Sequence, residues 1–149
     1  MKNMLIALSI ALMAIVQPAF AAERASPEEA KAMALKAAAY VQDHGREAAV
    51  EAFMSPDGEW LDRDLYVFMY DADGITLALA PAPDLVGTNR LDLQGYGGTY
   101  IIKEMLAVES EGWVSYLYDN PVTQQVEAKT SYIIRMDGGG FVGVGAYKE

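Results

Sequence analysis

From Leu65 to Tyr70 the chain reads Leu-Tyr-Val-Phe-Met-Tyr, large apolar and aromatic side chains at every position. Successive side chains of a strand point to opposite faces of its sheet, so a strand of this kind has no face to give to water. Trp113 to Tyr118 behaves the same way, with Trp113 and Leu117 alternating with Val114, Tyr116 and Tyr118. A sheet built from such strands needs cover on both sides. The rest of the chain must supply two covering layers.

The first cover is legible near the N-terminus. Ser26-Pro27-Glu28-Glu29 places a serine at a helix N-cap, a proline at the first helical position and a glutamate where it completes a capping box. Ala30, Met33, Ala34, Ala37, Tyr40 and Val41 then recur at spacings of three and four, one buried stripe. Gly45 ends this helix with His44 in its last turn, and a second short helix runs from Arg46 to Phe53. Strands follow. Leu65–Tyr70 and Ile75–Ala80 form a hairpin across the turn Asp71-Ala72-Asp73-Gly74, and Pro81 and Pro83 stop the second strand. Three more are expected at Trp113–Tyr118, Gln125–Met136 and Phe141–Tyr147. The second cover must then come from the insertion between the hairpin and Trp113, an irregular stretch from Asp84 to Gly98 leading into a helical segment over Thr99–Val108. The expected fold class is α+β: a long N-terminal helix packed on a roughly five-stranded antiparallel sheet, with a loop-and-helix insertion forming a pocket on the other face.

Composition narrows the chemistry. The chain has 149 residues, no cysteine, one histidine and a net charge of -10. Disulfides, thiol catalysis and thiolate zinc sites are excluded, and base-activated nucleophiles are poorly supplied. The acidic balance argues against a nucleic-acid partner, which needs a basic footprint. No cofactor or metal site is expected: Asp71-Ala72-Asp73-Gly74 begins like a calcium loop but lacks the later acidic ligands, and a hairpin turn explains it. Gly143-Val144-Gly145 has no following helix or Lys-Ser to make a phosphate cradle, so its glycines are read as allowing close approach of another group to the sheet.

Met1-Lys2-Asn3, the uncharged run Met4–Val16, and Ala19-Phe20-Ala21 together have the form of a secretory signal peptide cleaved after Ala21. The run is about 13 residues, short of the roughly 20 that a membrane-spanning helix needs. The expectation is residues 1–21 as signal and 22–149 as one exported, periplasmic domain, with no membrane insertion after cleavage.

Several blocks follow one another along the chain: Asp64-Leu65-Tyr66-Val67-Phe68 with Asp73-Gly74; Pro83, Leu85-Val86-Gly87 and Asn89; Gly112-Trp113-Val114 with Tyr116; Asn120-Pro121; Glu127, Lys129 and Ser131-Tyr132; and Gly145 with Tyr147. In this order they resemble the single Cache domain, the PAS-like extracytoplasmic sensory module of bacterial chemotaxis receptors and histidine kinases. The resemblance implies a pocket on the face away from the long helix and a small ligand, usually an organic acid. Where such domains often have a histidine before a proline, this chain has Leu79-Ala80. Where they often carry an acidic pair with glycine in the insertion, it has Gly95-Tyr96-Gly97-Gly98. Such receptors flank the domain with two membrane helices, whereas this sequence stops at Glu149, so a membrane sensor protein is the expected partner for any output.

The candidate ligand-binding residues are Tyr66, Phe68, Leu79, Tyr96, Tyr100, Trp113, Tyr116 and Lys129. Lys129 is either an exposed lysine beside Glu127 or, as the resemblance implies, an ammonium that holds a ligand carboxylate; buried, it needs such an anion. Trp113 and Tyr116 are core or ligand contacts, and their opposite parity forbids both pointing one way in a regular strand. Tyr66 and Phe68 share a face, as core or as cavity floor. Tyr96 and Tyr100 belong to a surface loop or to a lid. The functional expectation is a non-enzymatic module binding a short organic acid or related metabolite; the alternative is a ligand-free protein-interaction module, docking on a membrane receptor or histidine kinase, whose pocket has lost its polarity, as Leu79 suggests.

Overall fold

The structure, a computed structural model, describes residues 23–148. The expected signal segment lies outside the described residues. Helix α1 (Pro27–His44) starts with the capping box: Glu29 N donates to Ser26 Oγ at 3.2 Å, and Ser26 N to Glu29 Oε2 at 2.7 Å. It stops at Gly45, whose φ of 82° opens a corner into α2 (Arg46–Met54). The buried stripe of α1 is Ala30, Ala34, Ala37 and Val41, with Met33 and Tyr40 packed against its edges. Three alanines in that stripe bring the helix close to the sheet.

The sheet is antiparallel, with strands β1 (Leu61–Asp62), β2 (Leu65–Tyr70), β3 (Thr76–Leu79), β4 (Glu111–Asp119), β5 (Val126–Arg135) and β6 (Phe141–Tyr147). Its order is β1-β2-β6-β5-β4, and β3 also pairs with β2. The sequence led to five strands; the two-residue β1 is too short to leave a periodic signal. The C-terminal strand β6 is central, between β2 and β5. Leu65, Val67, Met69, Val142, Val144 and Ala146 turn to the helices, while Tyr66, Phe68, Tyr70, Ile133 and Phe141 turn the other way. All six residues of β2 are buried, as its two-sided composition demands.

The second face is covered by the insertion. A short 3-10 turn (Pro83–Leu85) and an irregular run lead to α3 (Ile101–Leu106), whose Ile101, Ile102 and Met105 are buried against that face. The insertion's backbone hydrogen bonds mostly close on itself: Leu93 N to Arg90 O, Gly95 N to Thr99 O, Gly98 N to Gly95 O and Ile101 N to Leu93 O. Cover is incomplete on the helix side of β4 and the start of β5, beyond the reach of α1. There Trp113, Leu117 and Val126 stay 43%, 40% and 45% exposed, so β4 is not buried on both faces as its sequence suggested.

Candidate functional site

The insertion-side face concentrates polar groups under an apolar cover. Tyr66, Phe68 and Tyr70 come from β2 at alternate positions, Tyr116 and Tyr118 from β4, and Lys129 and Ser131 from β5. Between β2 and β5 lies β6, which presents Gly143 and Gly145 to this face. A Cβ at 143 would sit 2.6 Å from the Phe68 ring, and a Cβ at 145 would sit 2.2 Å from Ser131 Oγ and 2.4 Å from Lys129 Cε. At Gly145 the Lys129 stem passes over β6, and its Nζ donates a 2.7 Å hydrogen bond to Tyr66 Oη. The reading of these glycines as points of close approach holds: the Phe68 ring and Ile133 come up against Gly143, and Ser131 and the Lys129 stem against Gly145.

Lys129 is 1% exposed. Its Nζ lies 4.1 Å from the ring centre of Tyr66, 4.7 Å from Tyr147, 5.6 Å from Tyr118 and 5.7 Å from Phe68. No ion pair to it exists among the described residues. Ring faces stabilise a cation by about 0.5–2 kcal/mol, whereas burying an unpaired one costs several. Burial wins, and it pulls the amine down from its ordinary range to about 7, opposed by the Asp64 carboxylate. Asp64 is itself buried; its Oδ1 accepts from Ala25 N at 2.9 Å, and its Oδ2 has no hydrogen-bond partner among the described residues. Burial holds Tyr66 and Tyr116 well above the usual phenol range, so both are neutral hydroxyls. Tyr116 Oη and Ser131 Oγ are 2.8 Å apart, and Tyr147 Oη donates to Asp119 O at 2.7 Å. Leu79, Leu93, Ile101, Ile102 and Met105 close the cavity with hydrocarbon. The free space left is about 20 Å³, the room of one water molecule.

Of the candidate residues, the fold brings Tyr66, Phe68, Leu79, Tyr116 and Lys129 together around this cavity. The exposed alternative for Lys129 is corrected: odd positions of β5 face the insertion, where the stem is enclosed. Three candidates lie elsewhere. Trp113 has the parity opposite to Tyr116 and packs its ring edge on Tyr132, 4.9 Å between centres, on the helix side of the sheet. Tyr96 is 62% exposed and donates from its hydroxyl to Asp119 at 2.9 Å, outside the cavity. Tyr100 is 40% exposed beneath the Lys103 ammonium. The glycines that free this loop let its tyrosines turn outward, and aliphatic side chains take the inner positions. Residues missed are Tyr70, Tyr118, Leu93 and the three from α3. Tyr70 and Tyr118 share parity with residues already chosen, a signal present in the sequence. The single histidine, His44, stacks on Tyr40 at the end of α1, on the other side of the sheet.

A family model described as "Single Cache domain 2" matches residues 1–149. No curated protein matches the chain. Among solved structures, a methyl-accepting chemotaxis protein from Vibrio parahaemolyticus RIMD 2210633 is similar with a TM-score of 0.68 and 22% identity, over 80% of this chain and 86% of that one. A periplasmic sensor domain of a chemotaxis protein matches with a TM-score of 0.61 and 22% identity, over 82% and 90%. A Cache chemosensory domain, described for its carboxylic acid recognition, matches with a TM-score of 0.64 and 18% identity, over 82% and 88%. At these identities the structural likeness carries the fold.

Proposed function

The chain belongs to the single Cache domain family, whose members are sensory domains, and on that premise we propose that it is a periplasmic module binding a short organic acid in the cavity around Lys129. One observation carries the reading: a lysine amine enclosed by aromatic rings and bonded to a neutral phenol, with no carboxylate at ion-pair distance among the described residues. A carboxylate brought to Nζ supplies the missing charge and converts an unfavourable burial into an ion pair. Tyr66, Tyr116 and Ser131 offer hydroxyls for its remaining lone pairs, and the aliphatic cover suits a short hydrocarbon tail.

About 20 Å³ is too little for even a two-carbon acid. Entry requires the segment from Leu93 to Met105 to lift, and its largely self-contained hydrogen bonding lets it do so with the sheet intact. No described helix is long and apolar enough to cross a membrane.

Thermal-shift and calorimetric titration with acetate, propionate and pyruvate test the reading. A bound acid at a hundred times its Kd stabilises the fold by about 2.7 kcal/mol, an easily read rise in Tm. If none raises Tm, or Lys129→Met responds as the wild type does, the acid reading is wrong. The nearly filled cavity and the uncovered strip of Trp113, Leu117 and Val126 favour a second reading, a docking module for a receptor or histidine kinase. A Trp113→Asp variant that loses a purified sensor partner, in a protein blind to acids, would support it.

A further inference from the structure

The cavity's amine is placed to bond to its ligand as well as to pair with it. We propose that this site takes a 2-oxo acid and holds it covalently, as an imine on Lys129. The inference rests on the reading of the cavity as an acid site and narrows the ligand class.

Three features of the geometry point there. Among the described residues, Nζ has a single hydrogen bond, to the neutral Tyr66 hydroxyl, with aromatic faces around it and no carboxylate at ion-pair distance. An amine so enclosed is disposed to be the free base near neutral pH, and only the free base has a lone pair to give. The same burial that draws its pKa to about 7 therefore activates it as a nucleophile. Second, Tyr66 Oη at 2.7 Å is positioned to exchange protons with an oxygen bonded next to Nζ. Third, Ser131 Oγ and Lys129 Cε both crowd the point where a Cβ at 145 would stand, so the Ser131–Tyr116 hydroxyl pair lies beside the stem of the reacting amine.

The chemistry balances without a co-reactant. The Nζ lone pair attacks the carbonyl carbon at position 2 of the acid and forms the C–N bond; the carbonyl π pair moves to oxygen, which takes a proton. The carbinolamine then expels that oxygen as water, the second amine proton leaving with it. Amine and 2-oxo acid become imine and one water, and nothing is oxidised or reduced. Protonated, the imine puts its positive charge on the atom next to the carbon that carries the carboxylate. The two opposite charges are then held next to each other by a covalent bond inside an apolar space, whereas a saturated acid can only pair with the ammonium. Lys36 and Lys103, by contrast, are surface groups engaged with Glu59 and Asp92.

The experiment incubates the mature protein with pyruvate near pH 7.5, adds sodium borohydride and weighs the intact chain. Expected is one adduct with the mass of pyruvic acid less one oxygen, mapped by peptide mass spectrometry to Lys129. It is absent from Lys129→Met and forms at least about tenfold more slowly in Tyr66→Phe, which keeps the ring and loses the proton relay. Wild-type mapping decides the matter even where a variant folds poorly. No adduct, or one spread over surface lysines, overturns the covalent proposal. If acetate and pyruvate still raise Tm in that case, the acid reading survives alone; if neither does, both fall.

Discussion

Replacing Lys129 by methionine should make the empty domain more stable, and by an amount that depends on pH. The amine titrates at 10.5 in the unfolded chain and at about 7 in the fold, lowered by burial. Between those values the unfolded chain holds a proton the native state has released, so wild-type stability rises with pH across this window. Below pH 7 both states are charged and the native state bears the full penalty. The distance from 10.5 to about 7 at 1.36 kcal/mol per pH unit makes that penalty about 5 kcal/mol. Methionine has a similar stem and no charge, so the variant escapes it. Urea unfolding of both proteins at pH 6, 7, 8 and 9 provides the assay. The variant's advantage should be largest at pH 6, up to about 5 kcal/mol, and shrink to about 2 kcal/mol by pH 9. Measurements stop there because the buried phenols of Tyr66 and Tyr116 hold their protons longer than they do unfolded and reverse the slope at higher pH. An advantage that stays constant from pH 7 to 9 would refute the argument, for it would mean the amine is as solvated in the fold as outside it.

Other consequences are equally direct. Gly145→Ala puts a methyl onto Ser131 Oγ and Lys129 Cε, so it should cost about 1–3 kcal/mol in urea unfolding and abolish any acid-induced rise in Tm. Trp113→Ala should cost only about 1 kcal/mol and leave acid titrations unchanged, since the ring is half-exposed on the far face. Tyr96→Phe removes the hydroxyl held by Asp119, and amide hydrogen exchange over residues 93–101 should quicken several-fold while the ladder between β5 and β6 keeps its protection. Glu127 is lowered to about 2 by its hydrogen bonds to Arg24, Asn120 and Thr123. Its contribution is therefore present above pH 4.5 and lost towards pH 2, and Glu127→Gln should flatten that part of the acid-unfolding curve.

The sequence made the layers legible because burial leaves a period. The stripe of α1, the two-sided β2 and the capping box at Ser26 each record a local rule, and each appears at or within a residue or two of its expected place. The site was legible where parity decides the face: Tyr66 and Phe68 on one side, Trp113 and Tyr116 apart. It was not legible in the insertion, where no period exists and glycines allow either orientation; nothing in the order of residues tells that Tyr96 and Tyr100 turn outward while Ile101 and Met105 turn inward. Nor could spacing tell that Lys129 is enclosed. That depends on β6 lying between β2 and β5, a fact of topology, and on the absent side chain of Gly145 in the strand beside it.

The insertion's way of bonding mainly to itself bears on how such a domain can be read from outside. A guest that props Leu93–Met105 away from the sheet moves the outer side of that segment too, and that outer side carries the rings of Tyr96 and Tyr100. The buried amine then never needs to be seen by another protein. On the proposed reading, occupancy would be displayed as a rearranged pair of surface tyrosines, and a partner recognising that pair would receive the message with no strand of the sheet having shifted.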